Sequence, residues 1–193
     1  MFDSTLLGAT LAWHPLDDPP GAWGLTGGDQ LLGEFAWSSG DSAVRAELDT
    51  EVWRVRVGGT LLVRAAATPA GAPEPALVYA GSLQEGWAVD REGARFALVA
   101  HFDAAVGPWR GVDDAGGAGI LRARGRVGGG GTWWELSVAP ATPHRHRIGG
   151  LLVLWGALQV LRARRPWLGL TASLFAKMLA ERELGRLTDP AEP

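Results

Sequence analysis

The chain has 193 residues, of which 47% are hydrophobic and 20% are charged, so it can bury a sizeable core as one domain of ordinary size. The hydrophobic content excludes a disordered polar chain, and the net charge of −3 excludes a globally basic nucleic-acid binder. Without cysteine, the chain cannot form a disulfide framework, a thiolate zinc site or a cysteine nucleophile.

Arginine supplies almost all of the positive charge, because Lys177 is the one lysine among 18 basic residues. Together with the 28 glycines, this usage predicts a high-GC bacterial genome. Residues 1–8 contain neither a positive segment nor a long apolar core, so no secretory signal is expected. The predicted location is therefore the cytoplasm.

From residue 21 to residue 138, tryptophan-led runs with alternating apolar residues are separated by turns rich in glycine and aspartate. This pattern is typical of serial β-hairpins, since those turn residues tolerate positive φ. With the less regular strands, the count reaches about twelve, which predicts a mainly β protein whose sheet closes into an antiparallel barrel. The less regular strands lie around 5–13, 43–48, 76–80 and 133–138.

The hairpin formed by 52–57 and 61–65 allows the facing of its side chains to be predicted. A three-residue loop over 58–60 places the apolar side chains on one face, whereas a two-residue loop mixes the faces. The inward set is then Trp53, Val55, Val57, Leu61, Val63 and Ala65, and the outward set is Arg54, Arg56, Leu62 and Arg64.

Residues 146–163 are predicted to form a helix with apolar residues around its whole circumference. A helix of this kind is either enclosed by protein or spans a bilayer. Its apolar run, 148–161, is shorter than the roughly 20 residues that a membrane span needs. We therefore expect a buried core helix, with a membrane anchor as the alternative.

Pro166 ends this helix, and apolar residues then recur at helical spacing between residues 170 and 179. The spacing predicts a second, amphipathic helix that docks outside the barrel. The predicted organisation is a barrel with its threading helix over 1–165, an amphipathic helix over 166–188 and a disordered tail over 189–193. The apolar stripe of the second helix consists of Leu170, Leu174, Phe175, Met178 and Leu179.

Serial hairpins followed by a wholly apolar helix resemble the tubby C-terminal-like superfamily, which includes phospholipid scramblases and LURP-one-related proteins. The resemblance is carried by tryptophan-led hairpins, such as the one starting at Trp87, and by the helix starting at Ile148. It covers residues 5–163 and implies a closed β-barrel threaded by a hydrophobic helix. The chain lacks a calcium-binding segment and a cysteine cluster of the scramblase kind, so scramblase activity is not implied.

Arginines alternate with apolar residues on two predicted strand regions, which gives flat cationic faces suited to phosphate or carboxylate groups. The resemblance implies phosphoinositide binding at membranes as one use of such a protein. The alternative is that these side chains only solvate the barrel exterior. The candidate anion-binding residues are Arg54, Arg56, Arg64, Arg122, Arg124 and Arg126.

Other polar residues give weaker signals for chemistry. His144 and His146 alternate, but no third metal ligand is evident and the neighbouring arginines would repel a cation. His101 and Asp103 resemble the base and orienting acid of a hydrolase, but the sequence offers no catalytic serine context. The aspartates at 113–114 lie in a glycine-rich turn, where capping of backbone groups is expected.

The sequence thus predicts a non-enzymatic, tubby-like barrel protein that binds an anionic lipid headgroup or a protein partner on its exterior. No cofactor, metal or nucleic acid is expected, and the location is cytoplasmic or peripheral at the membrane. The alternative is a membrane-anchored β-barrel, with 148–161 as the anchor, that binds a small apolar ligand.

Overall fold

The computed structural model describes residues 6–18, 21–38, 42–59, 62–83, 85–103, 107–128, 131–164 and 182, with backbone alone at 101–103, 107–108, 127–128 and 131–132. These residues form twelve strands, a 3-10 turn at Arg145–Arg147 and a helix, α1, at Ile148–Arg164. The strands are β1 (Thr10–Pro15), β2 (Trp23–Gly27), β3 (Gln30–Ser38), β4 (Ala43–Leu48), β5 (Glu51–Gly58), β6 (Val63–Pro69), β7 (Leu77–Gly81), β8 (Gly86–Asp90), β9 (Arg95–Asp103), β10 (Gly107–Asp114), β11 (Gly119–Gly128) and β12 (Gly131–Val138).

Each strand pairs antiparallel with its neighbours in the chain, and β1 pairs with β12, so the sheet closes on itself. At the closure, Thr10 lies opposite Ser137, and Trp13 lies opposite Trp134. Closure leaves no strand edge for pairing with another chain. The predicted closed antiparallel barrel of about twelve strands is confirmed.

Helix α1 fills the middle of the barrel. The Trp155 ring packs edge-on against Trp13 of β1 at 5.6 Å and against Trp134 of β12 at 6.4 Å between ring centroids. On another side of the helix, Gly150 lies against Trp53 of β5. Because strands from several sides contact it, the helix needs apolar residues around its whole circumference. The prediction of a buried core helix is therefore confirmed.

Gly156 permits a close approach between α1 and the barrel wall. A Cβ atom at this position would lie 2.7 Å from the Phe35 ring and 2.8 Å from the Trp13 ring, which is too close for carbon atoms. Farther along α1, buried Gln159 accepts a 2.7 Å hydrogen bond from Arg110 Nη1. The Arg110 guanidinium also lies 4.9 Å above the Trp134 ring, so this inward cation has both a hydrogen-bond acceptor and an aromatic face.

The antiparallel order places alternate turns at opposite ends of the barrel. The upper rim carries the β4–β5, β8–β9 and β10–β11 turns and the start of α1, and α1 ends at the lower rim. In the β8–β9 turn, Asp90 Oδ1 accepts hydrogen bonds from the backbone N–H groups two and four residues later, at 2.9 and 2.8 Å. Asp114 does the same in the β10–β11 turn, at 2.9 Å for both bonds. The expected capping role is confirmed for Asp114.

The first predicted strand is displaced in the structure. We expected it around 5–13, but β1 begins at Thr10. Before it, Gly8 has a φ of 72°, and the Ala9 N–H donates a 3.0 Å hydrogen bond to the Leu6 carbonyl. This turn interrupts extended backbone, so the apolar residues at its start cannot join the ladder.

The β5–β6 hairpin has a longer loop than the predicted 58–60. Val57 pairs with Ala65, and Gly58 pairs with Arg64, so the register is displaced by four positions from the predicted pairing of Val57 with residue 61. Because side chains alternate with a period of two, an even displacement preserves the facing. Buried Val55 and exposed Arg56 accordingly lie on the predicted sides.

The predicted amphipathic helix over 166–188 and the tail over 189–193 lie outside the described residues, apart from position 182. Among the helical residues that are described, none form a helix both long enough and apolar enough to cross a bilayer.

Candidate functional site

The six candidate arginines do not form a single site. Arg54, Arg56 and Arg64 project from β5 and β6, whereas the other three project from β11. Since β5 and β11 are separated by six positions in the closed twelve-strand order, the two groups lie on opposite sides of the barrel. We call the first group, together with the outer surface of the adjacent β4, the β4–β6 face, and the second group the β11 face.

The β4–β6 face gains a fourth arginine that was not among the sequence candidates. Arg45 of β4 lies directly opposite Arg54 of β5, and both side chains point outward. Arg56 and Arg64 continue the face toward the lower rim, and all four residues are exposed. The alternation of β4 could have identified Arg45, but its position beside Arg54 depends on the strand register.

Cross-strand positions on the β4–β6 face place no acid directly beside the three predicted arginines. Arg54 lies between Arg45 and Thr68, Arg56 lies between two alanines, and Arg64 lies between Gly58 and Ala80. On this face, Arg45 forms an ion pair with Glu47 at 2.5 Å, and both partners are exposed. An exposed pair of this kind contributes about 0–1 kcal/mol, so an anion in solution can compete for the arginine.

The β11 face is already engaged by groups of the same chain. Arg122 pairs with Asp113 and lies 4.5 Å above the Trp109 ring. Arg126 donates a 2.9 Å hydrogen bond to Glu135. Glu135 also lies directly opposite Arg124, so two carboxylates neutralise most of the positive charge of three arginines.

A cavity of about 680 Å³ opens at the upper rim, between the start of α1 and the β4–β5 and β8–β9 turns. Its most buried cation, Arg147, pairs with Asp90 and, at 2.5 Å, with Glu92. Nearby, Arg91 Nε donates a 2.7 Å hydrogen bond to the Pro75 carbonyl. The Arg147 contacts hold the segment just before α1 against the β8–β9 turn, and the Arg91 contact joins that turn to the β6–β7 loop, so both guanidinium groups are engaged. No sequence pattern could predict that Arg147 contacts Asp90 and Glu92, because these residues are far apart in the chain.

The two histidines before α1 do not form a metal centre with other described residues. His144 packs edge-on against Phe96 at 5.0 Å, and its buried Nδ1 has no hydrogen-bond partner among the described groups. His146 lines the rim cavity. Within the described part of the chain, no group of three histidine, aspartate or glutamate side chains could hold a metal ion.

The predicted hydrolase pair stays a hypothesis. His101 and Asp103 belong to β9, where their backbones pair with Trp109 and Gly107 of β10, and their side chains lie outside the described part. No catalytic constellation is evident among the side chains that are described.

Comparisons of the chain with protein-family models, with curated proteins and with solved structures found no match.

Proposed function

We propose that this chain is a non-enzymatic, tubby-like barrel protein that binds anionic membrane lipid through the β4–β6 face. The observation that carries the proposal is the projection of four exposed arginines from three adjacent strands. The closed barrel with a central helix is the architecture that the tubby-like resemblance implies, and it supports the proposal.

The chemistry of the face suits phosphate groups. Each guanidinium can donate two parallel hydrogen bonds to phosphate oxygens, and the adjacent strands hold the neighbouring groups on one side of the barrel. A basic residue near an anionic membrane contributes about 1 kcal/mol, so several arginines give measurable binding at low salt. Because the net charge of the chain is −3, this attraction depends on a local patch.

The alternative of a membrane-anchored barrel is not proposed. It requires the 148–161 segment outside the barrel, whereas α1 packs within the barrel core. An apolar ligand in the interior would occupy the space that α1 already fills. The proposed location is the cytoplasm, with peripheral attachment to its membrane.

Vesicle co-sedimentation tests the proposal. The full chain is mixed with vesicles of phosphatidylcholine alone or of phosphatidylcholine and phosphatidylserine, across a salt series. We expect it to pellet with the anionic vesicles at low salt and to be released as salt rises, because screening weakens exposed charges. Equal pelleting with both vesicle types, or no pelleting at low salt, would overturn lipid binding. The second result would leave an exterior protein partner as the next candidate.

A further inference from the structure

The cavity at the upper rim, which we call the rim cavity, has the features of a binding site that the arginine faces do not use. Its volume of about 680 Å³ lies within the range of pockets that hold small molecules. The β4–β5 and β8–β9 turns, the β6–β7 loop and the first turn of α1 surround it. All of these segments belong to the described part of the chain.

The inner wall of the rim cavity is apolar. Trp53 of β5 and Leu77 of β7 both line it, and both belong to the barrel core. Gly150 of α1 lies against both of them, because a Cβ atom there would be 3.2 Å from Leu77 Cδ1 and 3.4 Å from Trp53 Cη2. A glycine at this position therefore leaves room where the helix meets the sheet. A wall of this kind can receive the apolar part of a ligand.

A carboxylate lies at the mouth of the rim cavity, beside this apolar wall. Glu51 precedes Trp53 by two positions in β5, so both side chains project from the same face of the strand. Trp53 Nε1 donates a 3.0 Å hydrogen bond to Glu51 Oε2, which holds the carboxylate next to the indole. Glu51 is exposed, whereas Trp53 is 7% exposed. The acid therefore lies on the solvent side of the cavity and the indole on the protein side.

Glu51 differs from the other two acids that line the rim cavity. Asp90 and Glu92 both pair with Arg147. The second lining arginine, Arg91, donates to backbone carbonyls of the β6–β7 loop. Within the described part of the chain, Glu51 accepts the indole hydrogen bond and forms no ion pair. A carboxylate offers about four acceptor sites, so Glu51 can still receive a cation.

We propose that the rim cavity binds a small molecule that carries a primary amine on an apolar body. The ammonium group contacts Glu51, and the apolar body lies against Trp53 and Leu77. This orientation keeps the cation away from the first turn of α1, where the aligned peptide dipoles place partial positive charge. The inference does not depend on lipid binding, because the β4–β6 face lies on the outside of the barrel.

Titrations of the full chain with three matched probes test the charge preference. The probes are 4-phenylbutylamine, 4-phenylbutan-1-ol and 4-phenylbutyrate, which share one apolar body and differ in the charge at its end. Ligand-observed NMR gives each dissociation constant. We expect about 1 mM or tighter for the amine, from the affinity per atom of small ligands. The amine should bind about threefold more tightly than the alcohol and about tenfold more tightly than the carboxylate.

The variant Glu51→Gln tests the assigned residue, because the glutamine carbonyl can still accept the Trp53 N–H while the charge is lost. We expect the affinity for the amine to fall about threefold to fivefold and the affinity for the alcohol to stay the same. The control Asp29→Asn removes one exposed charge from the β2–β3 turn at the same rim and should change neither affinity. Circular dichroism verifies that both variants are folded.

A two-dimensional amide NMR spectrum of the full chain locates the bound amine. We expect the largest shifts at the backbone N–H groups of Gly149 and Gly150 and at the Trp53 indole N–H. Largest shifts outside the cavity lining would overturn the proposal. So would failure of the amine to bind, equal affinity for the amine and the carboxylate, or an amine affinity that Glu51→Gln leaves unchanged or that Asp29→Asn lowers as much.

Discussion

The β4–β6 face and the β11 face have the same alternation of arginine in sequence but differ in the structure. On β11, Asp113 and Glu135 hold two of the three arginines, and Trp109 lies beneath one of them. On β4–β6, the positions directly beside Arg54, Arg56 and Arg64 carry no acid. The two faces therefore differ in the groups that the strand order places beside their arginines, which one strand alone does not reveal.

The largest expected effect comes from unfolding the barrel, which removes both arginine faces together. Leu154 is buried at the centre of α1, and Leu154→Asp would place a carboxylate there without a partner. The cost of an uncompensated buried charge exceeds about 3 kcal/mol, so we expect loss of the folded barrel. Thermal unfolding by circular dichroism measures this. The control Val52→Thr changes an exposed position, keeps a β-branched side chain in the strand and should alter stability by less than about 0.5 kcal/mol. A normal melting curve for Leu154→Asp would contradict the central position of α1.

The next largest effect should come from removing the acids of the β11 face, which makes the two faces more alike. Asp113→Asn with Glu135→Gln removes the carboxylates that engage Arg122 and Arg126. Two released arginines at about 1 kcal/mol each should raise the affinity for anionic vesicles by roughly tenfold or more at low salt. The control Asp17→Asn with Asp18→Asn neutralises two exposed acids elsewhere. An equal gain in both double variants would mean that net charge, and not the freed face, determines binding.

Alkaline pH tests the burial of Tyr79 on β7, in the part of the barrel between the two arginine faces. Tyr79 is the one tyrosine of the chain, and its hydroxyl donates to the Ser82 carbonyl. Burial raises the pKa of Tyr79, and the negative charge of Glu85 raises this pKa further. In the unfolded chain the tyrosine ionises near pH 10. The full stabilising contribution of the buried, neutral Tyr79 hydroxyl is therefore present below that pH. Above it, stability should fall by about 1.4 kcal/mol per pH unit.

Tyrosinate absorbance follows this ionisation. We expect the absorbance to rise only together with the loss of the far-ultraviolet circular dichroism signal. Tyr79→Phe should remove its share of the alkaline destabilisation. Ionisation near pH 10 in a barrel that is still folded would show that the hydroxyl is accessible to water.

The sequence was sufficient for the architecture, because closure, strand number and the central helix follow from alternation, turn residues and an apolar helix. The facing of the β5–β6 hairpin was also predictable, since even an incorrect loop length preserved the period of two. The placement of the arginines on opposite sides was not predictable, because it depends on the cyclic order of the strands. Likewise, the contacts of Arg147 with Asp90 and Glu92 join distant segments that no local pattern connects.

The smallest effect concerns the acid at the margin of the β4–β6 face. Glu47→Gln removes the exposed ion pair with Arg45. Because exposed pairs are weak, the affinity for anionic vesicles should rise only about twofold to threefold. Glu74→Gln, at an exposed position in the β6–β7 loop, is the matched control. A rise beyond tenfold would mean that Glu47 suppresses more than one arginine.

The most direct test compares two triple variants that lose the same charge. One carries Arg54→Gln, Arg56→Gln and Arg64→Gln, and the other carries Arg122→Gln, Arg124→Gln and Arg126→Gln. At about 1 kcal/mol per arginine, the first should lose affinity for phosphatidylserine-containing vesicles on the order of 100-fold. The second should lose less than about tenfold, because Arg122 and Arg126 are already paired with Asp113 and Glu135. Equal losses, or a larger loss in the second variant, would contradict binding through the β4–β6 face.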